Sequence, residues 1–417
     1  MSRVALLPSE PIRARMAGIG IRYLEMALRL PAFGVEVVLV TAGDVADAEA
    51  LLPAKGELEV RSFGRGRLAE LLADCDAVVS QGQLANDVVI ELDDTPIAVD
   101  LYDPFLVENL HYAESLGLDP YRNDHATWVL QLSRGDFFLC SSEEQRQYYL
   151  GFLTALGRVN PRRVAADPDL RGLVAPVPFG VPAELKPHEA YLPVSEPGVR
   201  RLLFGGLYDW YDPWPVLEAV EGNRQEPWQL LFIHNPNPGT PQKLFGEVEA
   251  WCRKRGLWGD RVRCLDWVPS GRRFDLLRDV DLLISTHRPT LETRLSLRTR
   301  FLEALAAGCP VITTEGGAVS RMLVEHGAGS VVPEGDSRAV AEAIRRTLAE
   351  PEAHRRGAAG LLGSFAWDRV LEPLVEFCRQ PRRDPWRHDF AFRPPTLAPA
   401  DGLAFRLRRK LRHLLVR

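Results

Sequence analysis

The feature that most constrains this chain is a series of short apolar runs that alternate with amphipathic helical patterns. One such series lies in each half of the chain. In the first half, the apolar runs are residues 4–7, 35–41, 77–80, 97–100 and 137–141, and the clearest helical patterns are residues 20–30 and 143–156. Short apolar strands interleaved with amphipathic helices are typical of a parallel sheet covered on both faces. The first half therefore predicts a doubly wound α/β domain.

The alternation breaks at residues 182–198, which are rich in Pro and Glu and have no periodicity, and then it restarts. The second set of strands is predicted at 201–204, 229–233, 262–265, 282–285, 311–313 and 330–332, with helices at 213–220, 242–255, 297–307, 319–325 and 337–348. The sequence therefore predicts two facing Rossmann-like doubly wound domains, residues 1–190 and 198–365. Ligands of such sheets bind outside the carboxyl ends of the strands, so we expect the active site in the cleft between the domains.

Length and composition agree with this reading and argue against several other classes of protein. A chain of 417 residues is too long for one hydrophobic core. Its apolar runs are shorter than the ~20 residues of a membrane span, and MSRVALLPSE lacks the features of a secretory signal. The six cysteines include no CxxC pair, which argues against a zinc site or a disulfide framework. We therefore expect a cytoplasmic protein.

Charge is distributed unevenly along the chain. Residues 381–417 carry ten Lys or Arg against three acids, which is +7. Since the whole chain has a net charge of −5, residues 1–380 carry −5 − 7 = −12. An acidic body argues against nucleic acid as the main partner, and the basic tail is a separate question.

A glycine-containing loop in residues 14–28 is the first candidate site. Gly18 and Gly20 precede an amphipathic helix, whose free N–H groups and dipole can hold a phosphate or a carboxylate. A dinucleotide site would need GxGxxG directly after the strand, but the strand is predicted to end about ten residues earlier and the third glycine is missing. This counts against an NAD enzyme and leaves a plain glycine turn as the alternative.

The second candidate, residues 285–317, carries more information. A loop with His287, Glu292 and Arg294 follows a predicted strand, and a helix follows with Ser296 as its predicted N-cap. Arg294 and Arg298 lie around that helix start, and the planar fork of arginine suits phosphate oxygens.

Glu303, farther along the same helix, is placed to accept hydrogen bonds from two adjacent sugar hydroxyls. Gly316 and Gly317 precede the next helix and offer a second place where an anion can bind. Cations and a carboxylate together suit a nucleoside diphosphate. The alternative is a salt-bridged, solvent-facing helix, which the apolar stretch ALAAGC disfavours.

FLEALAAGCPVITTEGG followed by EHGAGSVVPEGDSRAVAEAI resembles the C-terminal domain of retaining glycosyltransferases with the two-Rossmann (GT-B) fold. The resemblance is closest to glycosyltransferase family 4, a large bacterial family that includes cell-envelope and polysaccharide enzymes, and it covers roughly residues 1–380. It implies a crossover helix at 366–380 that returns to the first domain, before the tail at 381–417. It also implies that Glu303 binds the donor ribose, that Gly18 and Gly20 lie near the diphosphate and acceptor, and that Gly316 and Gly317 lie beside the donor sugar.

The chain departs from the family pattern at its first glutamate, which falls on Leu295. Glu292 is the nearest carboxylate, and we expect it to substitute through a different loop path. The family's His-Asp pair falls on Tyr102 and Asp103, so Asp103 stays a candidate for contact with the sugar or acceptor.

Both usual phosphate cations of the family are also missing, because their positions fall on Gly206 and Tyr211. We expect Arg294, Arg298 and Arg300 to replace them, and we include His287 in the donor-binding set.

The resemblance implies transfer of a sugar from a nucleotide-diphosphate donor to a glycan or polyprenyl-linked acceptor with retention of configuration. It implies no metal, no cofactor and no obvious protein nucleophile, and the donor diphosphate would help to deprotonate the acceptor hydroxyl. A mechanism with an Asp or Glu nucleophile is the alternative. Asp103 and Glu292 are the catalytic candidates. The two DxD patterns, at 74–76 and 279–281, precede apolar runs, which favours a structural role over metal binding.

The tail sequence DGLAFRLRRKLRHLLVR, residues 401–417, predicts a helix with four leucines on one face and basic residues largely elsewhere. Such a helix can lie in an anionic membrane surface, which would suit a lipid-linked acceptor at the inner face of the plasma membrane. Packing on the acidic body of its own chain is the alternative.

Two other functions fit parts of this pattern. A non-hydrolysing sugar-nucleotide epimerase shares the two-domain architecture and needs no acceptor. A nucleotide-sugar-binding partner subunit without catalysis would account for the missing cations and the missing first glutamate. The base, the sugar, the acceptor and the linkage depend on loop shapes that residue types do not reveal.

Overall fold

The computed structural model describes residues 1–53, 58–63, 68–92, 94–235 and 242–387. The predicted basic helix at 401–417 therefore lies outside the described residues. No helix within the described residues is long and apolar enough to cross a membrane.

The first half of the chain forms a parallel sheet with strand order β3-β2-β1-β4-β5-β6-β7. The central strands β1, β2, β4, β5 and β6 are almost entirely buried, which is why each reads as a continuous apolar run. The strands are β1 (Arg3–Leu7), β2 (Glu36–Thr41), β3 (Glu59–Ser62), β4 (Ala77–Gln81), β5 (Ile97–Asp100), β6 (Phe137–Cys140) and β7 (Val174–Pro176).

Helices cover both faces of this sheet, and side chains of the preceding residues cap several of them. Ser142 accepts from the N–H of Gln145 at the start of α8, and Asn160 does the same for Arg163 at the start of α9. The helices are α1 (Gly18–Arg29), α2 (Val45–Glu49), α3 (Leu68–Leu71), α4 (Leu84–Glu91), α5 (Phe105–Glu108), α6 (Ala113–Leu116), α7 (Asp119–Arg134), α8 (Glu143–Ala155) and α9 (Pro161–Ala166), with 3-10 turns at Leu30–Phe33 and Asn109–Tyr112.

The second half forms another parallel sheet with order β10-β9-β8-β11-β12-β13. Its strands are β8 (Arg200–Gly206), β9 (Trp228–Ile233), β10 (Val262–Leu265), β11 (Leu282–Ser285), β12 (Val311–Thr314) and β13 (Gly329–Val332). Its helices are α10 (Trp214–Gly222), α11 (Lys243–Lys254), α12 (Arg273–Arg278), α13 (Leu291–Leu295), α14 (Thr299–Ala306), α15 (Ala318–His326), α16 (Ser337–Ala349) and α17 (Pro351–Leu362), with 3-10 turns at Ser270–Arg272 and Gly363–Phe365. The predicted pair of doubly wound domains is confirmed.

Each sheet reverses its strand order at one point, between β1 and β4 in the first and between β8 and β11 in the second. Such switch points open a crevice at the carboxyl ends of the strands, where ligands of α/β sheets bind. The two crevices of this chain face each other and form the cleft described below.

The chain returns to the first domain after α17 through α18 (Trp367–Val370) and α19 (Glu372–Arg379). Trp367 lies 5.1 Å from Phe179 between ring centroids and packs directly on Gly180, where a Cβ would come within 2.3 Å of the indole. Farther along, Phe377 stacks on Phe137 of β6 at 5.3 Å. The predicted crossover is therefore present, as two short helices rather than one.

A buried ion cluster fixes the chain just beyond α19. The Asp384 carboxylate contacts Arg158 at 2.8 Å and Arg163 at 2.6 Å, and Arg387 lies 3.3 Å from Asp136. Asp384 and Arg158 have side chains only 1% and 2% exposed. Residues 384–387 are thus held on the first domain at the foot of β6.

Three details differ from the sequence-based expectation. Ser296 does not cap the helix that carries Glu303, because that helix begins at Thr299 with Arg298 at its N-cap, and Ser296 instead ends the extra short helix α13. The edge strands β3 and β7 were not predicted, since one is half-exposed and the other spans three residues. The 16-residue helix α7 also lacked a clear apolar stripe in the sequence.

Candidate active site

Two adjoining cavities lie in the cleft between the sheets. The first, about 300 Å³, is lined from the first domain by the ends of β4 and β5 and from the second by residues between α13 and α14. The second, about 190 Å³, lies over the ends of β8 and β9. The cavities share part of their lining, namely Ala17, Gly18, Tyr208, Thr299 and Arg300.

The second cavity combines apolar walls with one carboxylate. Its walls include Ile233, Trp267 and Val268, and Glu303 reaches it from α14. Glu303 is 8% exposed, and its carboxylate accepts a hydrogen bond of 2.6 Å from the Nε of Arg273. Burial raises the pKa of Glu303, although Arg273 opposes the shift. The carboxylate is thus held in place by one cation while facing the cavity.

Arg300 lies where the two cavities meet. Its guanidinium donates to the carbonyl of Phe204 at 3.1 Å and to the hydroxyl of Tyr211 at 2.8 Å. It fits there because Gly205 has no side chain: a Cβ on Gly205 would come within 2.9 Å of the guanidinium. Gly205 also has φ +88°, a backbone conformation that other residues adopt at a cost.

The first cavity is lined by polar groups that lack partners among the described residues. The hydroxyl of Tyr23, the hydroxyl of Ser296 and the Nε of Arg298 accept or donate no hydrogen bond there. Tyr23 is 0% exposed, and Ser296 is 8% exposed. Buried polar groups in folded proteins are nearly always hydrogen-bonded, so these three atoms mark a place for polar ligand atoms.

Glu292 reaches the first cavity from α13, which Thr290 caps at its N-terminus. Both carboxylate oxygens of Glu292 accept from one nitrogen of Arg298, at 2.6 and 2.8 Å. Leu295, one turn later, is buried against the core of the first domain. The extra short helix therefore turns Leu295 away and places the nearby carboxylate in the cavity.

Asp103 and Glu108 form a carboxyl pair on the opposite wall. Burial raises the pKa of both groups, and the hydrogen bond between them shifts the two in opposite directions. The pKa of Glu108 is raised well above its ordinary value, by burial first and then by the neighbouring Asp103 carboxyl.

A buried chain of contacts links the two domains beneath this cavity. Arg22, 1% exposed, donates to Asp100 at 2.7 Å and lies 4.6 Å from the ring centroid of Tyr102. The hydroxyl of Tyr102 then donates to the carbonyl of Leu297 in the second domain at 2.6 Å. Tyr102, at the family's histidine position, thus bonds across the cleft to the residue before Arg298.

The start of α1, where the sequence predicted room for a ligand anion, is occupied by a carboxylate of the chain itself. The carboxylate of Glu10 accepts from the N–H of Ala17 at 2.6 Å and of Gly20 at 2.8 Å. Gly20 is buried against Met16 and lines neither cavity. Gly18 lines both, and a Cβ there would lie 3.6 Å from the Thr299 hydroxyl.

The remaining predicted residues lie outside these two cavities. Arg294 is exposed on α13. His287 is 1% exposed against Tyr211, and its ring nitrogens have no partner among the described residues. Gly316 and Gly317 precede α15, where their N–H groups donate to the Ser320 hydroxyl at 3.1 and 3.0 Å.

The DxD patterns have structural partners. Asp74 pairs with Arg61 at 2.6 Å, and Asp279 accepts from the backbone N–H groups of Tyr191 and Leu192 at 2.6 and 2.7 Å. Within the described ranges, no group of three or more His, Cys, Asp or Glu side chains is arranged to hold a metal ion.

Several residues of the site were not predicted from the sequence. Arg273 comes to Glu303 from a separate helix start, and no spacing connects the two. Glu10 lies seven residues before its nearest partner, in a loop without periodicity. Glu108 could have been predicted as a site residue, because it follows Asp103 by five residues beyond the carboxyl end of the same strand.

Comparison with protein families matches residues 213–350 to the family described as "Glycosyl transferases group 1". This segment contains Glu292, Glu303 and the cleft arginines of the second domain, Arg273, Arg298 and Arg300. A comparison with curated protein sequences finds no match. The resemblance read from the second domain is thereby confirmed for that part of the chain.

Solved structures similar to this one share its architecture along most of its length. Sucrose-phosphate synthase from Thermosynechococcus elongatus superposes with a TM-score of 0.65 at 16% identity, covering 91% of this chain and 99% of the other. HepE from Anabaena, solved in complex with UDP-glucose, gives 0.64 at 14% identity, covering 91% and 100%. WaaG, a glycosyltransferase involved in lipopolysaccharide biosynthesis, gives 0.55 at 17%, covering 90% and 100%. At these identities the likeness establishes the GT-B fold.

Proposed function

We propose that this chain, a GT-B protein whose second domain matches the group 1 glycosyl transferases, moves a sugar from a nucleotide-diphosphate sugar to a glycan or lipid-linked acceptor with retention of configuration. The observation that carries the proposal is the pair of joined cavities at the two facing switch points. One has apolar walls and a carboxylate, the other has unpartnered polar groups, and arginines lie between them.

The nucleoside fits the second cavity. Its apolar walls suit a base, and Glu303 is placed to accept hydrogen bonds from two ribose hydroxyls while Arg273 holds its other side. HepE, which shares the fold, was solved with UDP-glucose, and UDP-hexoses are therefore the first donors to test.

The diphosphate fits the junction at the start of α14. Arg298 and Arg300 line it, and the first N–H groups of that helix add their partial positive charge. Arg300 contacts Tyr211 and the carbonyl of Gly206, the two positions where the family's usual cations are missing. This supports the replacement of those cations by Arg300, with Arg298 beside it; Arg294 would need to move to take part.

The transferred sugar and the acceptor hydroxyl fit the first cavity. The hydroxyls of Tyr23 and Ser296 and the carboxyl pair Asp103–Glu108 offer hydrogen bonds to a hydroxylated ring, and Trp210 offers an aromatic face.

Glu292 is bonded through both oxygens to Arg298, which makes it a poor nucleophile and a good support for a phosphate-binding arginine. This supports a reaction in which the diphosphate accepts the proton of the acceptor hydroxyl. The protein then positions the reactants and stabilises the charge on the leaving diphosphate.

The family match supports transfer over epimerisation. We further propose that the reaction takes place in the cytoplasm, on an acceptor at the inner face of the plasma membrane that the basic tail helps to reach.

Calorimetric titration of the full chain with UDP, UDP-glucose and a panel of other nucleoside diphosphates, without added metal, tests the proposal. We expect selective binding that Glu303→Gln or Glu303→Ala weakens by about 1–3 kcal/mol, the loss for hydrogen bonds to a charged group. Glu25→Gln is the matched control, because Glu25 also contacts Arg273, at 3.3 Å, but lines neither cavity.

Folded protein that binds none of these nucleotides would contradict the proposal. Binding without turnover of any sugar nucleotide, on any acceptor tried, would favour the non-catalytic partner subunit. Interconversion of the sugar nucleotide without an acceptor would favour the epimerase.

A further inference from the structure

Two helix N-termini meet where the cavities join, and they differ in charge. The start of α14 carries Arg298 and Arg300, whereas the start of α1 carries the carboxylate of Glu10. Gly18 on α1 and Thr299 on α14 line both cavities, so one ligand in the cleft can meet both helix starts. Glu10 itself lines neither cavity, but Ala17, whose N–H it accepts from, lines both. A helix N-terminus attracts anions, and here one of the two has already bound a carboxylate of its own chain.

The rest of the first-domain wall is also unsuited to an anion. Arg22, which lines the cavity there, is bound to Asp100 at 2.7 Å. Asp103 and Glu108 beside it are carboxyl groups, and neither offers a positive charge to an anion. The polar atoms left for a ligand on this side include the hydroxyl of Tyr23, which is uncharged and fully buried.

We propose that Glu10 is a specificity residue that makes the first-domain side of the cleft select an uncharged, hydroxylated acceptor and reject a phosphorylated one. The inference rests on the proposed function, since it names the acceptor class of the same site. The Glu10 carboxylate occupies N–H groups at the start of α1 that could otherwise bind a phosphate, and its negative charge repels the phosphate of an acceptor. A phosphate in a lipid linker must then lie beyond the cavity, and the donor diphosphate is confined to the side of α14.

The test uses the full chain, with inorganic phosphate as the probe, in calorimetric titrations with and without saturating UDP. UDP fills the α14 side, so phosphate binding that remains reports on the first-domain side. We expect the wild-type complex to show no measurable phosphate binding at millimolar concentration. Glu10→Ala should bind phosphate with an affinity at least tenfold above the detection limit set by the wild type. Glu25→Ala, which removes a carboxylate from the C-terminal half of α1, away from the N–H groups that Glu10 accepts from, should behave like the wild type.

Equal phosphate affinity of the wild type and Glu10→Ala would overturn the inference. Glu10→Gln, which keeps the shape and one accepting oxygen, repeats the test if the alanine variant misfolds. The wild type alone also decides, because uptake of phosphate by the UDP complex contradicts the proposal. If UDP does not bind at all, the proposed function is contradicted. The phosphate titrations without UDP then still compare Glu10→Ala with the wild type and test the role of Glu10 separately.

Discussion

Burial sets the protonation of the ionisable side chains in and beside the cleft. Burial raises the pKa of Glu108, whereas it keeps His287 neutral. The pKa of His287 is lowered well below its ordinary value by burial first, with Arg298 and Arg300 acting in the same direction. His287 therefore adds no positive charge beside the two arginines.

The neutral state of His287 predicts a loss of stability in mild acid. In the unfolded chain, a histidine titrates near pH 6.5, whereas the folded protein keeps His287 neutral. Below pH 6.5 the unfolded state therefore binds a proton that the folded state does not, so stability falls as the pH falls. The expected contribution is about 1.4 kcal/mol per pH unit.

Denaturant unfolding at pH 7, 6 and 5 measures this effect as the difference in slope between the wild type and His287→Gln. The variant should lose stability less steeply with acid, whatever its stability at pH 7. His326→Gln, which removes an exposed histidine, is the control. Parallel slopes for the wild type and His287→Gln would show that His287 titrates normally.

Residue types in the sequence predicted part of this site. Glu303 and Glu292 were predicted as carboxylates near a helix start, and both reach the cavities. Arg273 and Glu10 were not predicted, because their partners come from other elements and only the folded chain brings them together. The Ser296 cap was wrong because the sequence did not reveal the extra turn of helix before it.

At the scale of elements, the loop after β5 and the loop before α14 are joined by one hydrogen bond across the cleft, from Tyr102 to the carbonyl of Leu297. Because the next residue is Arg298, we predict that this bond positions the arginine. Tyr102→Phe removes only the hydroxyl and should weaken nucleotide-diphosphate binding about tenfold.

Tyr149→Phe is the control for this variant. Its hydroxyl also donates to a backbone carbonyl, that of Leu101, at 2.8 Å, but within the first domain. Both variants should lose about 1 kcal/mol of stability, the usual net value of such a bond. Nucleotide affinity should change only in Tyr102→Phe, and an equal change in both variants would reduce Tyr102 to a structural role.

The elements that the sequence predicted are the buried ones. Central parallel strands are covered on both faces, so their apolar runs are visible without any knowledge of the fold. Strand β3, with the sequence EVRS, is half-exposed at the sheet edge and has no such run. Helix α13 exists because of its cap at Thr290 and its packing against the first domain, which local periodicity does not encode.

At the scale of the whole molecule, the C-terminal part of the chain ties the two domains together and fixes where the tail begins. Trp367 closes over Gly180 at the domain boundary, and the Asp384 cluster then holds the chain on the first domain. Residue 387, the last described, therefore lies at the end of α7, where Arg387 donates to the carbonyl of Arg134 at 2.9 Å. The basic tail therefore starts from the first domain and not from the second.

This starting point leads to the prediction that the tail brings the first domain to an anionic membrane. The full chain should sediment with vesicles that contain anionic lipid and not with neutral vesicles, and binding should weaken in high salt because screening removes the attraction. Replacing Arg408, Arg409 and Lys410 by Gln should weaken vesicle binding at least tenfold, since each basic residue near the surface contributes about 1 kcal/mol.

The control for that triple variant removes three positive charges from the second domain instead. Arg338, Arg346 and Arg356, which are exposed there, are replaced by Gln.

If the tail packs instead on the acidic body, neither variant changes vesicle binding, and the tail variant loses folding stability. If the tail variant still binds vesicles as tightly as the wild type, the membrane contact belongs to another surface. The exposed apolar side chains of Leu110, Leu116 and Leu118 on the first domain are then the next to substitute. Vesicle binding and stability together therefore separate the two roles of the tail, because each role changes only one of the two measurements.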